Sequence, residues 1–394
     1  MSVQRRVRGG RVRFIGRYRG PDGRERSRTF ELRRDAVAWV AKREAEVSAG
    51  DWLDPDGAAI LIEDLAAAWA AQASTRGTRQ IRQQVERNLG SLRGTPIGRL
   101  SPPMIRTWVS ELSEGRPWKP GCRGLAPATV SSLSSQLRAM LRQAVEDQLI
   151  RRNPADGVRV PRPATAITWR ELPTAEEVNA LIALARDGGP RKLDAEGRRQ
   201  WVCASPDMAL AVHLMATTGM RTGECCGLTW AAVDWESRRI AVIAQADLTG
   251  PGLRELKTGA EGRRTITVDE RTMELLVEHR ERRRGSERVL LSSAGHPLIA
   301  SVTAVKFRGM CRYLGLPAAI TPKSLRHFHA TTLLRAGVPV KTVQQRLGHA
   351  TARMTLDVYA HVLPEDDEPA AAVVAGVLSA AGPVRDQPRR LRAL

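Results

Sequence analysis

Val343-Gln-Gln-Arg-Leu347-Gly348-His349-Ala-Thr-Ala-Arg-Met-Thr355-Leu-Asp-Val-Tyr359-Ala-His361 is the stretch from which the rest of the chain is read. Gly348 tolerates backbone conformations closed to other residues, so it can end a helix, turn the chain and present His349. A phenol follows at Tyr359. The chain has only three tyrosines, Tyr18, Tyr313 and Tyr359, and only Tyr359 stands in such a setting. An unperturbed tyrosine hydroxyl, with a pKa of about 10, must lose its proton as it attacks, so a nucleophilic role needs help from neighbouring groups.

Upstream lies Thr321-Pro-Lys323-Ser-Leu-Arg326-His327-Phe-His-Ala330. Thr321 suits an N-cap and Pro322 a first helical turn, so this segment should open a helix that runs to Ala336-Gly337. The helix decides a rival reading. On a strand, His327 and His329 would share a face and could chelate a metal; on a helix, residues two apart diverge by about 200°. No metal site is expected. Further upstream, Leu256-Lys257-Thr258 precedes Arg263-Arg-Thr-Ile266, and Thr218-Gly-Met-Arg221-Thr-Gly-Glu224-Cys-Cys-Gly-Leu228-Thr-Trp230 places Arg221 and Glu224 three apart, where a carboxylate can orient a guanidinium. Singly, each has an ordinary explanation: ion pairs at this spacing are common on surfaces, and a lysine in a turn is usually solvated. His213 and His279 read as a core and a surface residue of no special role.

Taken in order, the four segments, which span about residues 205–365, resemble the tyrosine recombinase (phage integrase) family. The resemblance implies that Arg221 and Arg326 bind the scissile phosphate, with Glu224 supporting Arg221, and that His349 hydrogen-bonds a phosphate oxygen. It implies that Lys257 acts as general acid toward the 5′-hydroxyl leaving oxygen, and that Tyr359 attacks to form a 3′-phosphotyrosine. The family's third box is His-x-x-Arg, commonly followed by His; here Lys323 holds the first histidine's place. A protonated lysine stabilises phosphate charge but cannot accept the tyrosine proton, so Lys323 is expected to act electrostatically. Two arginines neutralising a pentacoordinate phosphorane take the place of a divalent metal, and the chemistry implied needs no cofactor.

The remainder of the 394-residue chain agrees with a polyanionic partner. Its formal net charge is +20, and its basic residues are 55 arginines against seven lysines. A GC-rich gene accounts for much of the preference for arginine but not for the shortage of acids. Residues 1–35 hold twelve arginines and four acidic residues. There, Arg11–Tyr18 and Glu25–Phe30 alternate basic with apolar residues around Gly20-Pro-Asp-Gly23, which predicts a hairpin or three-stranded sheet with one basic face, followed by a helix from about Arg33 to Ser48. Residues 60–150 show helical periodicity over Ile62–Ala71, Thr78–Leu89, Pro103–Leu112 and Pro127–Leu149. From Leu172 the pattern is again helical, broken by strand-like Arg238–Ala246, Arg254–Thr258 and Arg263–Asp269, expected to form one small antiparallel sheet.

The fold expected is mainly α with small antiparallel β sheets (α+β), in three domains. Residues 1–57 would be an arm-type DNA-binding domain and 58–160 an all-helical core-binding domain. A linker at 161–171 leads to a catalytic domain at 172–365, and 366–394 form a C-terminal helix, about Glu368–Ala380, and tail. Candidate DNA contacts are Arg11, Arg13, Arg17, Arg19, Arg26 and Arg28 on the arm, and Arg76, Arg79 and Arg82 on the helical domain. The resemblance adds double-stranded attachment sites, a homotetramer on synapsed DNA, a directionality factor and a host DNA-bending protein as partners. No apolar run of membrane-spanning length and no signal peptide are seen, and the five cysteines lack ligand spacing, so a cytoplasmic protein with free thiols is expected. Two alternatives to a mobile-element integrase stay open. One is a dimer-resolving recombinase of the Xer type, which generally lacks an arm domain; the other is a DNA-binding regulator that has lost catalysis.

Overall fold

The structure, a computed structural model, describes residues 2–8, 11–50, 52–54, 56–161, 172–194, 197–247, 250–359 and 375. It comprises two compact units, Met1–Ala164 and Thr165–Leu394. Apart from residues 161 and 375, the linker expected at 161–171 and the helix expected at about Glu368–Ala380 lie outside the described residues.

In the first unit, β1 (Ser2–Arg8), β2 (Arg11–Arg19) and β3 (Glu25–Phe30) form an antiparallel sheet in that order. Strand alternation then sorts the side chains. Phe14, Gly16 and Tyr18 share one face with Phe30 and meet α1 (Arg33–Ser48), where the Tyr18 and Trp39 rings lie 5.3 Å apart, edge to face. Gly16 permits this approach, because a Cβ there would stand 3.0 Å from Val40. The opposite face carries Arg6, Arg11, Arg13, Arg17 and Arg19, brought together by the pairings Arg6↔Arg13 and Ser2↔Arg17. Of the two forms expected, the three-stranded sheet is the one found, with β2 central and one basic face.

Four helices follow: α2 (Ile62–Ala71), α3 (Arg76–Arg87), α4 (Pro102–Glu114) and α5 (Pro127–Glu146). They enclose an apolar core around Trp108, which is fully buried and donates its indole N–H to the Asn88 carbonyl at 2.7 Å. Buried Val130, Leu133, Leu137, Met140, Leu141 and Ala144 are the three- and four-residue repeat legible in the sequence. The last predicted helix stops short of Leu149, because Gln148 takes a left-handed φ of 57°.

The second unit is built on α7 (Pro206–Thr218), buried along most of its length and flanked by α6 (Ala175–Asp187) and α9 (Glu270–Arg282). Its buried Asp207 accepts from the Leu291 amide at 2.7 Å and pairs with His279 and Arg283. Burial alone would raise the Asp207 pKa, but these partners pull it below the ordinary carboxylate value. His279 is therefore a core residue, 3% exposed, rather than the surface residue expected. Between α6 and α7 lies a hairpin that the sequence reading missed, β4 (Gly189–Leu193) with β5 (Arg199–Val202). It is held by Lys192, which donates to the Tyr313 carbonyl at 2.6 Å and lies 3.9 Å from that ring's centre.

After α8 (Thr222–Cys226), the expected single sheet is two. β6 (Val233–Asp234), β7 (Arg239–Val242) and β10 (Arg264–Thr267) form one, with β7 central; β8 (Gln245–Ala246) and β9 (Leu253–Arg254) form the other. The split follows packing: β8 runs against Gly227 so closely that a Cβ there would meet the Ala246 nitrogen at 2.6 Å. Nor does the strand expected at Arg254–Thr258 continue, since the Gly259 amide donates to the Leu256 carbonyl and closes a turn holding Lys257. Helix α10 (Ala300–Tyr313) covers the core, and α11 (Pro322–Arg335), α12 (Val340–Leu347) and α13 (Ala352–Tyr359) complete the unit. Among the described residues, no helix is long and apolar enough to cross a membrane.

Candidate active site

Helix α7 ends at Gly219, whose φ of 68° is the left-handed turn that glycine accepts most readily. Five residues on, Glu224 accepts from the Arg221 amide at 2.9 Å and from the Arg221 guanidinium at 2.7 Å. Its second side-chain partner is Arg264 of β10, also at 2.7 Å. Burial would raise the pKa of Glu224, but the hydrogen bond and charge of Arg264, then Arg221, outweigh it and hold the carboxyl below its usual value. Arg264 reaches on to donate to the Arg346 carbonyl at 2.6 Å, lying against Gly348, where a Cβ would stand 2.9 Å from its Nη1. Gly348, at φ 64°, thus both ends α12 and makes room for a guanidinium.

Arg326 is 5% exposed and is fixed by two carbonyls from different segments, Gly219 at 2.8 Å and Leu347 at 2.5 Å. Burial first, and the nearby charge of Arg221 next, push its pKa down to about 9. Among the described residues, Glu224 is the one carboxylate paired with this group of arginines, against Arg221, Arg264 and Arg326. A buried cation surplus of this kind is relieved by an anion, and planar guanidinium forks match phosphate oxygens.

His349 joins the same field. Its Nδ1 shares a hydrogen bond of 2.9 Å with the hydroxyl of fully buried Thr355. Burial, then Arg326, Arg221 and Arg264, bring its pKa down to about 4, so the ring is neutral near pH 7. With Nδ1 engaged by Thr355, Nε2 remains for a phosphate oxygen. Tyr359, at the end of α13, is 2% exposed, and its hydroxyl lies 2.6 Å from Nδ1 of His327 on α11. Burial raises the phenol to about 12, partly opposed by Arg326. His327 is lowered to about 3 by burial, then by Lys323, Arg326 and His349.

The structure thus brings Arg221, Arg326, His349 and Tyr359 into one electrostatic neighbourhood, with Glu224 beneath Arg221. Lys323 stands exposed at the start of α11, where its charge still bears on His327. Lys257 is exposed in its turn and makes no recorded contact with the group among the described residues. The other tyrosines are structural: Tyr18 accepts from Trp52 at 3.3 Å and Tyr313 donates to the Pro190 carbonyl at 3.2 Å. His327 and His329 part as helix geometry requires, the latter bonding the Ala216 carbonyl at 3.1 Å. Two residues escaped the sequence reading, His327 and Arg264. Both lay inside the quoted boxes, and the adjacency Arg326-His327 was the available signal.

The candidate DNA contacts divide. Arg11 and Arg19 are exposed on the basic face of the sheet, while Arg13 and Arg17 share it in ion pairs with Glu31 and Glu25. Arg26 instead belongs to a corner, engaged by Asp22, Asp54 and Asp56 and 5.0 Å from the centre of the Trp52 ring. Arg28 lies 5.4 Å from the Phe30 ring, toward α1. On α3, Arg82 donates to the Trp69 carbonyl at 2.6 Å and covers that ring, whereas Arg76 and Arg79 are exposed.

Comparison with known proteins gives a consistent picture. Residues 174–366 match the phage integrase family. A tyrosine recombinase XerC-like protein of Caldanaerobacter subterraneus subsp. tengcongensis is 26% identical over 270 residues, which cover 62% of this chain and 64%, just under two thirds, of that protein. The integrase of Mycobacterium phage D29 is 25% identical over 373 residues, covering 89% of this chain and 88% of its own. Among solved structures, the Tn1549 transposon integrase in complex with a circular intermediate DNA superposes with a TM-score of 0.63 at 21% identity, over 81% of this chain and 99% of that one. A lambda integrase dimer bound to a COC′ core site gives 0.53 at 17% identity, over 92% and 94%.

Proposed function

Taking as premise that this chain belongs to the tyrosine recombinase (phage integrase) family, whose members cleave and rejoin DNA, we propose that it integrates and excises a phage or other mobile element by metal-free transesterification at Tyr359. One observation carries the chemistry: a buried tyrosine hydroxyl lies in the field of Arg326, which acts together with Arg221 on the neutral ring of His349. In this reading the arginines hold the non-bridging oxygens of the scissile phosphate and neutralise the phosphorane, the Nε2 of His349 donates to one of those oxygens, and Glu224 fixes Arg221. Lys257 would approach the leaving 5′-oxygen from its exposed turn as general acid, and Lys323 would contribute charge alone. The 3′-phosphotyrosine retains the bond energy, so a second 5′-hydroxyl reverses the step without ATP.

The N-terminal sheet supports an integrase over a dimer-resolving recombinase. Similarity to the phage D29 integrase extends over 89% of this chain, against 62% for the XerC-like protein, and the sheet presents a basic face suited to a second duplex. We take residues 1–57 as the arm, 58–160 as the core-binding domain and 172–365 as the catalytic domain, acting as a tetramer on paired attachment sites in the bacterial cytoplasm, with a directionality factor and a host DNA-bending protein as accessories. The test is covalent capture. Duplexes nicked near the cut site, bearing the repeated sequence from DNA flanking the gene, should trap a protein–DNA adduct, and Tyr359→Phe should bind as well yet form none. An undiminished adduct from Tyr359→Phe would overturn the assignment.

A further inference from the structure

Resting on the recombinase reading above, we propose that His327 is the proton acceptor of the nucleophile, filling the part that Lys323 cannot play from the place of the family's histidine. The geometry is direct. The Tyr359 hydroxyl lies 2.6 Å from His327 Nδ1, both side chains are buried, and the rings meet edge to face at 5.6 Å. Burial keeps the phenol protonated and the imidazole neutral, so the hydroxyl donates and the Nδ1 lone pair receives; Nε2 then carries the ring proton.

The charged and titratable groups facing His327 are Lys323 and Arg326 on its own helix, His349 after α12 and Tyr359 on α13. The positive charges of Lys323 and Arg326 suppress its basicity. A phosphodiester docked against Arg221, Arg326 and the neutral ring of His349 places negative charge against the two arginines, and the phosphorane places more. The basicity of His327 therefore rises when substrate binds. In the forward step the O–H proton passes to Nδ1 as the phenolic oxygen bonds to phosphorus. The P–O5′ bond breaks, and the leaving oxygen takes a proton from the general acid. In the reverse step a 5′-hydroxyl gives its proton to the deprotonated general acid as its oxygen bonds to phosphorus, the P–O bond to tyrosine breaks, and the imidazolium returns its proton to the phenolic oxygen.

The competing explanation is a core hydrogen bond that only positions the ring. His327→Asn separates the two, since its amide can accept a hydrogen bond where Nδ1 stands but cannot take a proton. In the full chain on nicked core duplexes, His327→Asn should bind DNA normally and form adduct about 10²- to 10⁴-fold more slowly, the range for general acid–base groups; Lys323→Ala should lose less. A sulfur replacing the bridging 5′-oxygen leaves without protonation, so it should restore Lys257→Ala and not His327→Asn. Adduct formation by His327→Asn within a few-fold of wild type, or its rescue by the sulfur, would overturn the proposal. Should the variant lose DNA binding through misfolding, nitrogen NMR of the wild-type histidines decides: a proton on His327 Nδ1 overturns it, and an unprotonated Nδ1 supports it. If wild type itself forms no adduct while that nitrogen is unprotonated, the recombinase reading has failed and not the hydrogen-bond assignment.

Discussion

On the N-terminal sheet, Arg6, Arg11 and Arg19 stand in solvent on a common face, whereas in the second unit Arg264 and Arg326 are buried, each tied to a backbone carbonyl of α12. The exposed arginines keep their hydration, so holding them costs the fold little, and each adds only a small screened attraction to a polyanion. They act by number. The buried ones have lost hydration that hydrogen bonds to carbonyls and the charge of Glu224 replace only in part, and the deficit is what an anion would fill. Residue type alone does not separate these uses; burial and partners do.

The sharpest way to break this contrast is to remove Glu224, the carboxylate that pairs with Arg221 and Arg264. Glu224→Gln leaves Arg221 and Arg264 without their counter-charge, and losing one member of a buried pair typically costs about 3–5 kcal/mol. Chemical denaturation at neutral pH should show a loss of that order. The pH dependence has a definite sign. The folded pKa of Glu224 is lowered from 4.5, so its contribution is complete above that value and is lost as pH falls through the lower folded pKa. The stability gap between wild type and Glu224→Gln should therefore narrow on acidification below about pH 4.5. A gap independent of pH would show that shape rather than charge holds the arginines.

Arg326→Lys asks whether the buried group works as a fork or as a point charge. Arg326 spans the Gly219 and Leu347 carbonyls and, in the proposed mechanism, also faces the phosphate, which a single ammonium cannot do. Single-turnover cleavage should fall about 10²- to 10³-fold, as for loss of other fixed electrostatic donors, with DNA binding little changed. Near-normal cleavage by Arg326→Lys would reduce its role to net charge.

How much of this was legible in the sequence follows from how local each feature is. Gly348-His349 and Arg221-Thr-Gly-Glu224 are contiguous, so their residue types and spacing disclose a turn and an ion pair. The strand alternation around Gly20–Gly23 and the periodic face of α5 are likewise local, and both elements appear where expected. His327 and Arg264 were hidden because their partners come from elsewhere: the hydroxyl 32 residues away, and the Arg346 carbonyl 82 residues away. The hairpin at Gly189–Val202 was missed because it carries no apolar alternation, leaving Leu193 and Trp201 exposed. His279 looked like a surface residue because Asp207, its polar partner in the core, lies on another helix.

Within the sheet itself the comparison can be drawn at its finest, between two arginines that the sequence does not distinguish. Arg26 is a strut: it bridges Asp22, Asp54 and Asp56 beside Trp52, and its charge is already matched. Arg26→Ala should therefore lower thermal stability, by about 1–3 kcal/mol for the loss of charged hydrogen bonds, while leaving the salt dependence of DNA binding nearly unchanged. Arg11 is exposed on the basic face opposite α1, and the structure records no ion pair for it among the described residues. Arg11→Ala should leave stability within about 0.5 kcal/mol of wild type, as for most surface substitutions. If Arg11 neutralises one phosphate, its loss should reduce the slope of log K against log salt by about 0.9, and adduct formation on a core-only duplex should not change. Titrations across a range of salt concentrations, beside melting curves for both variants, separate the two outcomes. A slope that shifts for Arg26→Ala and not for Arg11→Ala would move the duplex to the corner side of the sheet, and the face opposite α1 would then serve solvation alone.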